Sequence, residues 1–263
     1  MRDREQLLAT IKDFVAGDES SDAQQTSRAT RAAPRGLIGG DVRRVASRVP
    51  QPIAGPGAVD TMRDPASVKA FLTAATRAGR VRLEVGAARG TFAVPMALRN
   101  PGDVLLASEV RRSQCRAILR RRTRRRIDNL YVMVGDIRLH LPGLLPGEPV
   151  FDEVYVLFPD PWWKRRHRKR RLFQPSFFDL MACAIAPGGF LAVKSDVAEY
   201  LEHVRDLASG VRTFEAAEPG VQQSVIADLP PTGRERELLA AQLPIGSMVL
   251  TRTEAAPPAI EED

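Results

Sequence analysis

Five short apolar runs, separated by helical patterns and turns, limit this chain to a small number of folds. The runs are Val81–Val85, Val104–Ala107, Leu130–Val134, Val154–Phe158 and Phe190–Lys194. Helical spacing over Thr91–Arg99, Arg111–Arg125 and Pro175–Ala186 lies between or beside them. Continuous apolar strands that alternate with helices indicate a parallel sheet covered on both faces. We therefore predict an α/β fold with a doubly wound, mostly parallel sheet.

The pattern weakens toward both ends of the chain. Ser224–Asp228 and Met248–Arg252 are predicted as later strands, with antiparallel pairing left open. Residues 1–60 are rich in Ala, Arg, Ser, Pro and Gly, which predicts a flexible arm. A short amphipathic helix around Leu7, Ile11 and Phe14 fits the spacing there. We place the folded domain at residues 61–253 and expect a disordered tail at 254–263.

Positive charge is concentrated in two segments, although the whole chain has a net charge of only +7. Arg111–Arg126 holds nine arginines, Lys164–Arg171 holds seven lysines or arginines, and neither segment contains an acid. The rest of the chain is therefore acidic, with a net charge of −9. Because charge that serves only solubility would be spread out, this clustering predicts a polyanionic partner.

The sequence lacks the marks of a membrane, secreted or zinc-binding protein. No run reaches the roughly 18 apolar residues of a membrane span, and the N-terminus lacks the apolar region of a signal peptide. Cys115 and Cys183 are the only cysteines, which argues against a zinc site and against a disulfide framework. We expect a cytoplasmic protein without a bound metal, and we favour a monomer.

An acid lies at or just beyond the end of each of the five apolar runs. These acids are Glu84, Glu109, Asp136, Asp160 and Asp196. The first run also leads into a glycine loop that ends at Gly90. Ligands of open α/β sheets bind at the carboxyl ends of the strands, so the five acids are expected on one rim. Any one of them could simply cap a helix, but five in succession beside a glycine loop predict a site.

The position of Glu109 suggests the kind of ligand. It lies about twenty residues beyond the glycine loop, where an acid can accept hydrogen bonds from ribose hydroxyls. The loop lacks the G-x-G-x-x-G pattern, which weakens its interpretation as a dinucleotide-binding loop. An adenosine ligand without phosphates suits an acidic rim, and S-adenosylmethionine has a ribose, an adenine and a sulfonium cation.

Several segments together resemble the bacterial tRNA (guanine-N7-)-methyltransferases. They are LEVGAARG at 83–90, SEV at 108–110, Gly135-Asp136, FPDPWWKRRHRKRR at 158–171 and KSD at 194–196. The FPDPW-x-K and H-x-KRR signature is specific, whereas the glycine loop alone would be weak. The resemblance covers roughly 81–207, with a fainter match at 231–235. It implies a class I methyltransferase fold, which is Rossmann-like.

The resemblance also implies site residues. Contacts to the cofactor S-adenosylmethionine are expected from Glu84, Gly86, Gly90, Glu109, Asp136 and Asp160. Contacts to tRNA are expected from Lys164, Asp196 and the stretch that contains Thr232, Arg234 and Glu235.

This chain departs from the family pattern at three places in the site. Ala88 stands where the family has a glycine, which predicts crowding if that position has a positive φ. Ser195 replaces a threonine before Asp196. Arg234 replaces an aromatic residue in the C-terminal T-x-[FY]-E motif.

The chemistry at guanine N7 assigns Asp160 a role other than that of a base. N7 has an in-plane lone pair and no proton, so catalysis requires alignment and exclusion of water. We expect the Asp160 carboxylate, the predicted catalytic group, to accept hydrogen bonds from the N1–H and N2–H₂ edge of guanine. Trp162 or Trp163 is expected either to stack on a base or to pack in the core.

The basic run beside Asp160 is interpreted as a phosphate-binding segment. Its predicted substrate contacts are Lys164, Arg166, His167, Lys169, Arg170 and Arg171. A second set, at Arg112, Arg116, Arg120 and Arg124, recurs every four residues and forms one helical stripe. That stripe is either a second phosphate track or a solvated face, and we favour the track.

Two alternatives to methylation of tRNA at guanine N7 remain open on the sequence. The first is a related methyltransferase with another RNA substrate, suggested by Ala88 and Arg234. The second is an RNA-binding paralogue that has no catalytic activity. Binding of S-adenosylmethionine separates the second from the first.

Overall fold

The computed structural model describes residues 9–10, 53, 55–162 and 165–257. The predicted flexible arm and its short helix fall almost entirely outside these residues, as does the end of the predicted tail, 258–263. No helix in the described part of the chain is long and apolar enough to cross a membrane.

The described residues form one eight-stranded sheet with the order β1-β4-β3-β2-β5-β6-β8-β7. Its strands are β1 (Ala58–Val59), β2 (Val81–Val85), β3 (Val104–Glu109), β4 (Leu130–Val134), β5 (Phe151–Leu157), β6 (Ile185–Ser195), β7 (Phe214–Ala216) and β8 (Gly246–Arg252). The first six strands pair in parallel, whereas β8 is antiparallel to both β6 and β7. The predicted α/β fold with a mostly parallel sheet is confirmed.

Eight α-helices accompany the sheet in the described residues. They are α1 (Pro65–Arg77), α2 (Ala93–Arg99), α3 (Arg112–Arg125), α4 (Ile137–His140), α5 (Pro175–Ala184), α6 (Ala198–Ser209), α7 (Pro219–Asp228) and α8 (Gly233–Ala240). Two short 3-10 helices lie on either side of β5, at Pro142–Leu144 and Arg165–Arg170. The start of α1 shows the residues that are typical of a helix N-terminus. The Asp64 side chain accepts a hydrogen bond from the Ser67 N–H, and Pro65 lies in the first turn.

Apolar side chains fill both faces of the sheet. One face holds a cluster built around Phe71, Phe151, Phe173 and Phe177, and the other face holds Phe92 beside Tyr155. Two such layers keep the central strands rigid, so the loops at their carboxyl ends start from fixed positions.

A buried ionic network lies at the other end of the central strands. Arg82 of β2, which is 7% exposed, donates to Glu153 at 2.5 Å and also pairs with Asp103. Tyr155 donates its hydroxyl hydrogen to Glu153 at 2.5 Å. The Arg82 guanidinium and the hydrogen bonds to Glu153 hold the pKa of that carboxyl below its usual range, although burial opposes this shift. The charges of Arg82 and Glu153 are thus neutralised within the fold.

One prediction about an element is wrong, and the sheet includes two residues that precede the proposed domain. Ser224–Asp228 lies in helix α7 and not in a strand, because Val221 and Val225 are one helical turn apart and the Gln222 side chain accepts a hydrogen bond from Val249 of β8. The sheet also begins before the predicted domain boundary, since β1 pairs with β4 through Ala58 and Val59. The strand predicted at Met248–Arg252 is confirmed within β8, and its pairing is antiparallel.

Candidate active site

A pocket of about 760 Å³ lies at the carboxyl ends of β2, β3, β4, β5 and β6. Its volume is within the range of small-molecule sites. Nine of the predicted site residues line it: Glu84, Gly86, Glu109, Asp136, Asp160, Arg170, Asp196, Thr232 and Arg234. The lining contains Asp, Glu, Ser, Thr and Arg side chains but, within the described residues, no His, Cys, Lys or Tyr. The pocket is therefore equipped to bind and orient a ligand rather than to supply a basic nitrogen or a thiol.

The glycine loop after β2 has three left-handed positions. Gly86 has φ +81°, and a Cβ there would meet open space. Ala88 has φ +45°, which is the positive φ on which the expected crowding depends, and an alanine in this conformation is strained. Gly90 has φ +69° and lies outside the pocket lining, where a Cβ would meet Ile118 at 3.0 Å. Gly90 thus allows close packing of the loop against α3.

Glu84 is a buried carboxylate at the pocket wall with an unused oxygen. The residue is 4% exposed, and its Oε2 has no hydrogen-bond partner among the described residues. Burial raises the pKa of Glu84 to about 8, and the nearby Glu109 carboxylate adds to this effect. A buried acceptor of this kind favours a cationic or donor group from a ligand.

Glu109 closes β3 and binds backbone amides on two sides. Its Oε2 accepts from the Ala88 N–H at 2.9 Å, and its Oε1 accepts from the Arg111 N–H at 2.8 Å. The carboxylate therefore fixes the glycine loop beside its own strand. Each oxygen has a second lone pair that remains available to ligand hydroxyls.

Asp136 follows β4 and caps the short helix α4. Its carboxylate accepts from the Arg138 backbone N–H at 3.0 Å and pairs with the Arg138 guanidinium at 2.6 Å. The side-chain hydrogen bond from Arg138 holds the pKa of Asp136 below its usual value. Arg138 lines the pocket as well, so the ion pair lies at the pocket wall.

The loop after β5 holds Asp160 between two left-handed residues. Phe158 has φ +57° and Trp162 has φ +42°, and Asp160 itself is exposed. Non-glycine residues in this region carry strain that clusters at functional sites. Trp162 is held by the His167 ring, 5.6 Å away and edge-on, and by the Arg170 guanidinium 5.2 Å above its ring. The backbone on both sides of Asp160 is thus constrained.

The predicted phosphate-binding run divides into exposed and packed side chains. Arg166 and Arg170 are exposed, and Arg170 alone of the run's described side chains lines the pocket. Arg171 is partly buried, donates from Nε to the Pro161 carbonyl at 2.9 Å and lies over the Tyr200 ring. It therefore holds the loop. Trp163, Lys164 and the side chain of Lys169 lie outside the described residues.

The C-terminal motif, which contains Thr232, Arg234 and Glu235, forms one ion pair at the pocket and a second one outside its lining. Arg234 donates from Nη2 to Asp196 Oδ2 at 2.6 Å, and both side chains line the pocket. Glu235 lies outside the lining and pairs with Lys194 Nζ at 2.7 Å, with the two side chains 12% and 5% exposed. Thr232 and Glu235 form a capping box at the start of α8.

Two residues of the pocket lining, Thr91 and Arg138, and one supporting residue outside it, Lys194, were not predicted from the sequence. Thr91 lines the pocket and accepts a hydrogen bond from the Gly233 N–H at 2.9 Å, which ties α8 to the glycine loop. Arg138 covers Asp136, and Lys194 neutralises Glu235. Only Arg138 left a local signal, because a basic residue two positions after an N-cap acid can reach back to it. The other two contacts join segments that are far apart in the chain.

Comparison with known proteins identifies similar sequences. The family described as "Putative methyltransferase" matches residues 78–245. A tRNA (guanine-N(7)-)-methyltransferase of Synechococcus elongatus is 34% identical over 190 residues, with 66% of this chain and 83% of that protein covered. The enzyme of the same name from Mycobacterium avium is 35% identical over 164 residues, with 60% and 61% covered.

The coverage of these relatives is uneven. The chain spans 61%, 57% and 43% of the proteins of this name from Mycobacterium avium, Thermosynechococcus vestitus and an Arthrobacter species. Among solved structures, the 16S rRNA (adenine(1408)-N(1))-methyltransferase from Catenulisporales acidiphilia is similar with a TM-score of 0.50 and 17% identity. That comparison covers 71% of this chain and 94% of the other, and it shows a shared methyltransferase fold.

Proposed function

This chain belongs to the tRNA (guanine-N7-)-methyltransferase family, and on that premise we propose that it methylates N7 of a guanine in tRNA with S-adenosylmethionine as methyl donor. The observation that carries the proposal is the rim of acids beside a glycine loop at the carboxyl ends of the parallel strands. Because tRNA is its substrate under this proposal, its place of action is the cytoplasm.

The residues of the pocket fit a cofactor that has donors and positive charge but no phosphate. When bound, S-adenosylmethionine supplies an electrophilic methyl group on a sulfonium centre. The unpaired Glu84 Oε2 suits a cationic group, and open space beside Gly86 leaves room next to it. Glu109 and Asp136 close two neighbouring parallel strands and offer carboxylate oxygens to hydroxyl and amino hydrogens.

Asp160 is the residue that orients guanine in this proposal. It is exposed, it lines the pocket, and it lies on a loop whose backbone is constrained at Phe158 and Trp162. Guanine N7 has no proton, so the protein has no proton to remove when the new N–C bond forms. The Asp160 carboxylate accepts hydrogen bonds from the guanine edge and stabilises the positive charge that the ring gains. Rate enhancement then comes from alignment and from exclusion of water.

The basic run supplies the approach for RNA. The Arg170 guanidinium lies over Trp162 at the pocket, and Arg166 is exposed in the same 3-10 segment. Contacts from such side chains to phosphates position a strand without reading its sequence. Arg171 acts differently, since it holds the Asp160 loop through the Pro161 carbonyl.

A single experiment tests this proposal against both alternatives. The full chain is incubated with bulk tRNA and S-adenosylmethionine, and the nucleosides are analysed by mass spectrometry. We expect N7-methylguanosine. A different methylated nucleoside would indicate another RNA substrate or position. No methylation together with no S-adenosylmethionine binding in calorimetry would indicate a non-catalytic RNA-binding protein.

A further inference from the structure

A second groove, with a volume of about 1300 Å³, runs along α3 and shares no lining residue with the pocket. Its lining contains five arginines and, among the described residues, no acid. The five are Arg89, Arg116, Arg120, Arg121 and Arg124, and we call this surface the arginine groove. It is therefore a separate concentration of positive charge.

The arrangement differs from the stripe that the sequence predicted. Arg116, Arg120 and Arg124 of that stripe line the groove, but Arg112 does not. Arg89 and Arg121 complete the set: Arg121 donates from Nη1 to the Arg89 carbonyl at 2.9 Å, which brings α3 and the glycine loop together. Residues from two elements thus converge on one surface.

Counter-charge for these arginines is missing from the described part of the fold. No described carboxylate lies within 4.0 Å of any of the five guanidinium groups, and the ion pairs near α3 belong to Arg111 and Arg122. Arg122 is buried and donates to the Leu130 carbonyl at 2.8 Å, so it serves the fold. Arg116, Arg120 and Arg124 are exposed. Like charges at this helical spacing repel each other, and an external polyanion would relieve that repulsion.

We propose that the arginine groove binds the phosphodiester backbone of the RNA substrate outside the nucleotide that enters the pocket. The proposal rests on the proposed function for the identity of the RNA. Arg116, Arg120 and Arg124 recur at about 6 Å along the helix axis, which suits a ligand with regularly repeated negative charges. A planar guanidinium also matches phosphate oxygens in pairs.

The location of the groove supports one continuous RNA path. Arg89 belongs to the same loop as Gly86 and Ala88, which line the pocket, so the groove begins beside the pocket. From there it extends along α3 by about 12 Å between Arg116 and Arg124. A strand that places one guanine in the pocket can therefore lay neighbouring phosphates along α3.

The test replaces three exposed arginines of the groove and compares them with three exposed arginines elsewhere. The groove variant is Arg116→Gln/Arg120→Gln/Arg124→Gln in the full chain. The control is Arg77→Gln/Arg205→Gln/Arg212→Gln, which removes the same charge at positions that line neither the groove nor the pocket. Affinity for one tRNA transcript is measured by fluorescence anisotropy over a range of salt concentrations.

We expect the groove variant to flatten the plot of log affinity against log salt by about two to three, because each phosphate contact contributes about 0.7–0.9. The control should keep the slope of the unaltered protein. The KM for tRNA should rise on the order of tenfold. The kcat at saturating tRNA and the affinity for S-adenosylmethionine should stay unchanged, since the pocket is intact.

The outcomes separate this proposal from the proposed function. Equal salt slopes in the groove variant and the control would overturn the groove proposal. Unchanged tRNA affinity in the groove variant would overturn it as well, and that result is expected if an acidic protein segment occupies the groove. If the unaltered protein binds tRNA with the predicted groove dependence but forms no N7-methylguanosine, the proposed function fails while the groove proposal stands.

Discussion

Arg234 and Asp196 form an ion pair at the pocket, with Nη2 2.6 Å from Oδ2. The pair joins α8 to the loop after β6, and Arg234 occupies the position at which the family resemblance leads one to expect an aromatic ring. Arg234 is 52% exposed, so the pair contributes little to folding. Its consequence is electrostatic, because it neutralises an acid where RNA would enter.

The first prediction concerns this pair. Arg234→Gln should raise the KM for tRNA by about threefold to tenfold, because it leaves the Asp196 carboxylate unpaired beside the RNA phosphates. Adding Asp196→Asn should recover most of that loss, and steady-state kinetics of the two single variants and the double variant measure the coupling. Arg236→Gln, on the same helix, is the control and should change little. A double variant no better than Arg234→Gln alone would contradict this interpretation.

A second prediction concerns protons released from Glu84. With its pKa raised to about 8 by burial, Glu84 is mostly protonated at pH 7 in the ligand-free protein. A bound cationic ligand favours the carboxylate, so binding should release a proton, and affinity should increase from pH 6 until it levels off above about 8. Calorimetry of S-adenosylmethionine binding in two buffers with different ionisation enthalpies at pH 7 counts the released protons.

The matched variant for this measurement is Glu84→Gln. It keeps the shape of the side chain but cannot ionise, so it should bind S-adenosylmethionine more weakly, without proton release and without the rise in affinity with pH. Proton release that persists in Glu84→Gln would show that another group titrates.

A third prediction uses the strained alanine of the glycine loop. Replacing alanine by glycine in a loop normally lowers the free energy of unfolding by about 0.4–1 kcal/mol. Ala88→Gly should be neutral or stabilising, because a left-handed alanine costs about 1–2 kcal/mol and its φ is +45°. Ala87→Gly, at a buried neighbour without a positive φ, should be destabilising. Urea unfolding measures the free energy of unfolding of both variants. An equal decrease in Ala88→Gly and Ala87→Gly would disprove strain at Ala88.

The fourth prediction separates structural and RNA-binding roles of Glu235. Its carboxylate pairs with Lys194, and the two side chains are 12% and 5% exposed. Glu235→Ala should lower the free energy of unfolding by about 3 kcal/mol, because it leaves the Lys194 ammonium buried and unpaired. The double variant Lys194→Met/Glu235→Leu should recover most of the stability in urea unfolding. A stable Glu235→Ala protein with weakened tRNA binding would instead assign Glu235 to the RNA.

Local patterns were enough to predict much of the sheet and the rim of the pocket. β4 lies where the apolar run Leu130–Val134 predicted it, and Glu84, Glu109 and Asp136 line one pocket because parallel strands end on one side. β5 begins three residues before the predicted Val154. The first residues of β5 include two acids, so an apolar run does not mark the start of this strand. Asp152 accepts a hydrogen bond from the Val81 N–H, and Glu153 pairs with Arg82 of β2.

The features that escaped prediction depend on contacts between distant segments. The Lys194–Glu235 pair joins β6 to α8 across 41 positions, and the arginine groove requires Arg89 to meet α3. Composition and spacing do not reveal which charges meet in space. The apolar residues of 224–228 were assigned to the wrong element because a short apolar run fits a strand or a helix equally well.

The claim that guanine N7 is the methyl acceptor has one direct test. A tRNA transcript is prepared in which every guanine is replaced by 7-deazaguanine, so that a C–H group stands in place of N7. Methyl transfer from labelled S-adenosylmethionine is then compared with transfer to the ordinary transcript, after binding of both transcripts has been measured. We predict similar affinity for the two and labelling of the ordinary transcript alone. Equal labelling of the 7-deazaguanine transcript would contradict methylation at N7.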